Sequence, residues 1–409
     1  MYRRRRIAAG ILALLVLGGV YTVAIALIPL PELRGALSVE AELRVEADPA
    51  AAQAAVDAQS RPTAIGWLHD EEVWSNDDEP HRIASLTKLV TVLVGLEAAP
   101  VEAGGDGPVY TVSGEDQRIL DEVIAQDGSF APTPAGLELT TRQMLELILL
   151  PSANNYAIAY TRWVFGSDEA YLDAAHDWLA RNGLESMRIF DASGLNDENA
   201  ASAADIVRLS RLVLANPLLA EIVAQSAIEI PALGEITTTN RLLADPGVIG
   251  LKTGTTFPEG YSLAAAQRES TSGRDLVAIA VVLDRVDADA RANDAREALT
   301  VMAAAWQTLP VVAEGESIGN VTTWTGERVP LVAASAADAV LVPGESASRT
   351  IELGAVEAGP VGGAVGTVRI AAPDGDLEVP IVAQAEIEKP GLFWKMTHPG
   401  ALLSPPESG

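Results

Sequence analysis

Hydrophobic positions along the chain fall into three regimes. The first is an uncharged run at residues 7–30, directly behind the four arginines at 3–6. As a helix this run is long enough to cross a hydrocarbon core of roughly 30 Å, and the positive cluster should stay in the cytoplasm. The second regime mixes helical and strand periods. Apolar residues at Leu86, Leu89, Val90, Leu93 and Leu96 line one face of a helix over 86–96, and similar spacing predicts helices at 141–150, 155–165, 169–182 and 203–215. Asn182-Gly183 provides a C-cap for the helix at 169–182. Apolar stretches at 63–68 and 73–74 flank His69-Asp70-Glu71-Glu72 and predict a strand, a turn and a returning strand. A hairpin is expected from 261–267 and 276–283 around a turn at 270–274, followed by a helix over 294–308. The third regime begins at Val311, where short Val, Ile and Thr runs are separated by Pro343-Gly344, Gly362-Gly363 and Asp374-Gly375, the pattern of a small all-β module.

The order strand, helices, strands, helix reads as α+β, with helices packed on an antiparallel sheet. The expected organisation is an Arg cluster and transmembrane anchor at 1–31, a stem of uncertain fold at 32–61, a main domain at 62–310, the β module at 311–390 and a tail at 391–409. The tail carries Leu392-Phe393-Trp394-Lys395-Met396, which can dock on the module or touch a membrane surface. A cleaved signal peptide competes with the anchor, because Ala24-Ile25-Ala26 has the small-x-small form of a cleavage site. The apolar run exceeds the usual signal core of roughly 7 to 15 residues, which favours the anchor, and both readings export the body.

Composition narrows the function. A net charge of -28 repels a phosphate backbone, and no basic stripe lies outside residues 3–6, so no nucleic-acid partner is expected. With no cysteine there is no disulfide, no thiol nucleophile and no Cys-bound zinc, and His69, His81, His176 and His398 stand too far apart for an HExxH site. No metal or other cofactor is expected. The chain has 24 arginines but only four lysines: Lys88, Lys252, Lys389 and Lys395.

Two of those lysines fall in short motifs. Ser85-Leu86-Thr87-Lys88 puts a hydroxyl and an amine three residues apart at a helix start, on one side of a single turn. Serine needs a base to act as a nucleophile, and lysine serves as one only when burial or a neighbouring cation keeps it neutral near pH 7. Lys252 is a candidate for that cation. Pro151-Ser152-Ala153-Asn154 sits at a break between two helical patterns, where short polar side chains point into a cleft or simply cap a helix. Lys252-Thr253-Gly254-Thr255 precedes a hairpin strand; its glycine admits a ligand to the backbone, and its lysine presents a cation to a carboxylate.

In this order the three elements resemble the S-x-x-K, S-x-N and K-T-G signatures of the serine penicillin-recognising enzymes, β-lactamases and penicillin-binding proteins. The surroundings, Arg82-Ile83-Ala84 before Ser85, Asp191-Ala192-Ser193-Gly194-Leu195, Asn240-Arg241-Leu242-Leu243 and Gly250-Leu251 before Lys252, are similar to D-alanyl-D-alanine carboxypeptidases of peptidase family S11. The resemblance covers about residues 62–309. It implies a DD-peptidase/β-lactamase-like domain and a serine-type carboxypeptidase that trims the terminal D-alanine of peptidoglycan stem peptides, with β-lactams as covalent inhibitors and no cofactor. It further implies Ser85 as nucleophile, Lys88 as base and Ser152 as proton relay. Asn154 would hold the substrate amide, Lys252 and Thr253 the substrate carboxylate, and the N–H groups of Ser85 and Thr255 the oxyanion. Arg296 resembles a family arginine near the carboxylate site but is equally explained by surface pairing, and Thr239 stands where some relatives carry a basic residue. Alternatives are a DD-endopeptidase or β-lactamase on the same site, or a non-enzymatic cell-wall binding protein. The glutamate loop of class A lactamases, E-x-x-L-N, is not found between Asn154 and Lys252.

Overall fold

Residues Ala278, Ile279, Ala280, Val281, Val282 and Leu283 are all fully buried, although consecutive strand residues point to opposite faces. Such a strand needs cover on both sides. It belongs to Arg274–Arg285, the middle of a five-stranded antiparallel sheet in the order Val248–Thr255, Tyr261–Thr271, Arg274–Arg285, Thr63–Trp67, Val73–Ser75. Helices Ala203–Ala215 and Ala288–Ala304 pack on it. The computed structural model describes residues 2–102, 104–256, 260–271 and 273–404. Ser272 in the expected hairpin turn and residues 405–409 of the tail lie outside the described residues. The chain forms two units, Asp48–Trp306 and Met1–Ala47 with Gln307–Gly409.

In the larger unit the apolar helix Thr87–Ala98 runs through the core, with nine of its 12 residues buried. Helices Thr141–Leu149, Asn154–Phe165 and Asp168–Arg181 surround it, close to their expected bounds. Thr140 and Gln143 form a capping box at the first of these, and Gly166 ends the second in a left-handed conformation (φ 83°). The helix expected over 294–308 instead spans Ala288–Ala304. Asp287 rather than Asp294 caps it, accepting from the Asp289 and Ala290 N–H groups, and Gln307–Val312 is a strand paired with Ala337–Leu341. Helices Ala50–Asp57, Gly114–Ala125 and Pro217–Val223 were not expected from periodicity.

The smaller unit is built on an eight-stranded antiparallel sheet in which the expected stem takes part. Leu33–Leu37 lies between Ala355–Val356 and Ser317–Thr322, with Ala36 opposite Asn320, and Glu42–Glu46 pairs with Ser346–Leu353 at the other end of the sheet. Residues 32–61 are therefore not a free stem: 33–46 are strands and 50–57 a helix. Glu42–Glu46 is an edge strand in which Glu42, Arg44 and Glu46 are exposed and alternate with Leu43 and Val45, a strand period only five residues long. In chain order the larger unit is an insertion between strands of the smaller one.

Helix Tyr2–Leu27 is 26 residues long, roughly 39 Å, and apolar enough to cross a membrane by length and composition; of its side chains Ile25 is buried. The tail helix Leu392–Thr397 docks within the smaller unit. Tyr21 Oη donates to the Met396 carbonyl (2.8 Å), Lys395 Nζ donates to the Ile28 carbonyl (3.2 Å), and Trp394 packs against the sheet's core.

Leu33 is 1% exposed in that core. Leu33→Ala should cost the smaller unit about 2–5 kcal/mol, the usual price of truncating a buried leucine. Limited proteolysis followed by mass spectrometry should show faster cutting in 307–390 and unchanged resistance in 63–285.

Candidate active site

Ser85 occupies a 3₁₀ turn, Ala84–Leu86, that feeds directly into the buried helix Thr87–Ala98. One turn later the Lys88 side chain is fully buried and its Nζ lies 2.9 Å from Ser85 Oγ. Two further oxygens meet the same nitrogen, Asn154 Oδ1 and, at 2.5 Å, the Ser193 carbonyl. Asn154 arrives as the first residue of helix Asn154–Phe165, and its own N–H is fixed by the Ser129 carbonyl at 2.8 Å. Burial pushes the Lys88 ammonium down from 10.5 to about 7, against the nearby Asp191 carboxylate, which favours the charged form.

The Ser193 carbonyl is aimed by Asp191. That carboxylate accepts from the N–H groups of Ser193, Gly194, Leu195 and Asn196, from Ser193 Oγ and from Asn199 Nδ2, at 2.7 to 3.2 Å. The tight loop so formed requires glycine at 194: φ is 83°, and a Cβ there would collide with the Ala84 carbonyl and lie 2.9 Å from the Ser85 nitrogen. Ala84 (φ 46°) and Ser152 (φ 65°) both adopt the left-handed conformation that non-glycine residues rarely hold. Such strain, on the order of 1–3 kcal/mol each, persists only where the surroundings impose it.

Ser152 is buried, and its Oγ has no hydrogen-bond partner among the described residues. Lys252, on strand Val248–Thr255 opposite Ala264, is buried as well. It donates to the Thr253 carbonyl at 3.1 Å. Burial, then the Lys88 and Arg291 charges, hold its ammonium well below the usual lysine value. Thr253 Oγ1 is 2.6 Å from Thr239 Oγ1, so Thr239 engages the K-T-G strand with a neutral hydroxyl. Thr255, with Ser85 and Asn154, lines an open cleft of about 720 Å³ whose other walls include Asp127, Leu195 and Asp197. The structure thus joins Ser85, Lys88 and Asn154 by hydrogen bonds and brings Lys252 within electrostatic reach. Ser152 and Lys252 make no hydrogen bond to Ser85 or Lys88 among the described residues.

Two residues of this site escaped the sequence reading. Arg291, 7% exposed, donates to the Gly254 carbonyl (3.3 Å) and Thr255 Oγ1 (3.5 Å), lies over the Tyr261 ring and pairs with no carboxylate among the described residues. Arg296, one turn and a half later, lies on the surface paired with Asp245 at 2.6 Å. Placing the helix start at Asp287 would have put Arg291 in its first turn, facing the sheet. Asp191 stood within a quoted motif, but its role as the acceptor that shapes the loop is a tertiary fact.

The family model for Peptidase_S11, D-alanyl-D-alanine carboxypeptidase, matches residues 73–287. The chain belongs to this family. D-alanyl-D-alanine carboxypeptidase DacF of Bacillus subtilis is 24% identical over 259 residues, which cover 62% of this chain and 64% of that protein. DacD of Escherichia coli is 25% identical over 259 residues, 62% of this chain and 65% of its own length. The chain thus spans just under two thirds of these relatives. In three dimensions it resembles penicillin binding protein 5 of Haemophilus influenzae, with a TM-score of 0.55 and 19% identity over 80% of this chain and 97% of the other, a likeness of fold.

The Asp191 charge favours protonated Lys88. In Asp191→Asn the Lys88 titration should move below about 7. Lysine-selective ¹⁵N NMR is well suited to the measurement, since the chain has four lysines to assign. An unmoved Lys88 resonance would show that Asp191 shapes the loop without acting on the amine.

Proposed function

We propose that the protein is a membrane-tethered serine D-alanyl-D-alanine carboxypeptidase, acting on peptidoglycan stem peptides through an acyl-serine intermediate and acylated by β-lactams. The observation that carries this reading is the set of three oxygens around Lys88 Nζ. Asn154 Oδ1 and the Ser193 carbonyl can only accept. A neutral amine therefore directs its two N–H bonds to them and turns its lone pair to the Ser85 hydroxyl, the arrangement a general base needs. The near-neutral titration of Lys88 makes that form available.

The reaction then follows by role. Lys88 takes the Ser85 proton as Oγ bonds to the carbonyl carbon of the penultimate D-alanine, and the oxyanion is held by the N–H groups of Ser85 and Thr255. Collapse breaks the C–N bond, and the proton passes from Lys88 through Ser152, whose Oγ has no competing partner among the described residues, to the leaving amine. Water next gives its proton to Lys88 and attacks the acyl carbon; the ester C–O bond breaks, and Ser85 recovers the proton. The terminal carboxylate is received by Lys252, Thr253 and Arg291. An arriving anion between two buried cations restores the charged form of Lys252, which desolvation otherwise opposes. Helix Tyr2–Leu27 would hold the protein in the cell membrane as a single pass, with the remainder extracytoplasmic.

The full chain should release D-alanine from a soluble pentapeptide ending in D-Ala-D-Ala and become labelled stoichiometrically by fluorescent penicillin, and Ser85→Ala should lose both. Prompt multiple turnover of penicillin without D-alanine release would overturn the carboxypeptidase reading in favour of a lactamase. Because the base must be neutral, the acylation rate below about pH 7 should climb close to tenfold per pH unit toward the Lys88 titration. Stopped-flow labelling between pH 5 and 7 checks this; a flat profile would remove Lys88 as the base.

A further inference from the structure

His81 lies four residues before Ser85, on the two-residue strand His81–Arg82. Its imidazole, three-quarters covered, is held between two carboxylates, with Nδ1 at 3.0 Å from Asp284 Oδ2 and Nε2 at 3.1 Å from Asp77 Oδ2. Asp77 belongs to the loop before the strand, where its other oxygen accepts from the Glu79 N–H at 2.9 Å. Asp284 lies near the end of the central strand Arg274–Arg285 in a left-handed conformation (φ 59°), its N–H reaching Ser262 Oγ at 3.4 Å; Ser262 is opposite Gly254 of the K-T-G strand. The clamp thus ties the segment leading to Ser85 to the sheet that carries Lys252. The backbone of His81–Arg82 is paired elsewhere, with Ala200–Ala201.

A neutral imidazole has one N–H and one bare nitrogen, so it can satisfy only one of these carboxylates and turns a lone pair on the other. Both contacts are hydrogen bonds only in the imidazolium. Among the described residues Arg82 pairs with Asp197 (3.6 Å), and Arg285 pairs with Asp294 (2.6 Å) while its charge also acts on the adjoining Asp284 through space. Asp78 and Glu79, on the same loop, form no ion pair with the ring among the described residues but add negative potential of the same sign as the clamp.

We infer that doubly protonated His81 is a positioning residue for Ser85: the Asp77–His81–Asp284 clamp holds the nucleophile's segment against the central sheet, and loss of the second imidazole proton slackens it. The strained turn at Ala84, between the clamp and Ser85, makes the nucleophile sensitive to such a shift. This rests on the acyl-serine reading for its kinetic consequence. Acylation should rise with pH as Lys88 becomes neutral and fall again as His81 gives up its second proton.

The test uses the full chain in detergent, with fluorescent-penicillin acylation followed from pH 5 to 9 and histidine-selective ¹⁵N NMR in parallel, the His81 signals being assigned by their loss in His81→Gln. The wild type should show both ring nitrogens protonated at acid pH and a falling acylation limb whose midpoint coincides with the loss of the second proton. In Asp77→Asn a neutral imidazole can donate to Asp284 and accept from the new amide, which keeps an oxygen for the Glu79 N–H. Its acid-side rate should stay within about twofold of wild type and the falling limb should disappear. His81→Gln should lower acylation roughly tenfold at pH 6, the scale on which a small displacement of a reacting group acts, without a falling limb and without a change in overall melting. Superimposable wild-type and Asp77→Asn profiles, or a His81 that loses its second proton with no change in rate, would overturn the inference. Wild type that penicillin never labels would instead overturn the acyl-serine reading. In that case the NMR arm still decides the clamp, since a folded protein whose His81 ring is never doubly protonated at the acid end of the range refutes it.

Discussion

The site depends on the burial of one amine. Lys88 has no accessible surface and, among the described residues, no carboxylate in direct contact; three oxygens surround its nitrogen, and Asp191 acts on it through the loop and through space. Removing an ammonium from water is costly, and the protein meets that cost by letting the proton go near neutral pH. Everything around Lys88 serves this balance. The apolar helix Thr87–Ala98 supplies the dry surroundings, helix Asn154–Phe165 delivers Asn154, and the Asp191 loop delivers the Ser193 carbonyl.

Electrostatics extend the same logic to the other wall. Lys252 and Arg291 are buried without a paired carboxylate among the described residues, and burial, with the Lys88 and Arg291 charges, opposes the charged form of Lys252. Under the proposed function a substrate carboxylate arriving here would offset both the like charges and the desolvation that disfavour the Lys252 ammonium. In a chain of net charge -28 this is a local inversion of the surface field, created by burial rather than by composition. Thr239 fits that picture. It meets Thr253 with a hydroxyl, and Arg291 brings positive charge to the same strand from the helix Ala288–Ala304.

The smaller unit is joined by threading. The chain leaves the apolar helix, contributes Leu33–Leu37 and Glu42–Glu46 to a sheet completed some 300 residues later, and forms the larger unit in between. The tail closes the same unit by docking Trp394 on its core and hydrogen-bonding the end of the N-terminal helix.

Local pattern was enough to read most helices of the larger unit, the Thr63–Trp67 and Val73–Ser75 strands, the long hairpin and the N-terminal apolar helix, because each carries its own period or its own turn residues. The scarcity of lysine and the Ser85-x-x-Lys88 spacing pointed to an amine beside a hydroxyl, while the roles of Ser152, Asn154, Lys252, Thr253 and Thr255 came from the resemblance to family S11. Tertiary structure decided the rest. The strands at 33–46 are short, and their partners lie 282 to 323 residues away, so the five-residue alternation at Glu42–Glu46 does not say which sheet they join. Arg291 and Arg296 are alike as sequence, and the packing of helix Ala288–Ala304 on the sheet decides which of them faces the K-T-G strand. The neutrality of Lys88, the loop shaped by Asp191 and the clamp on His81 are products of burial and long-range contact, which residue identity does not encode one position at a time.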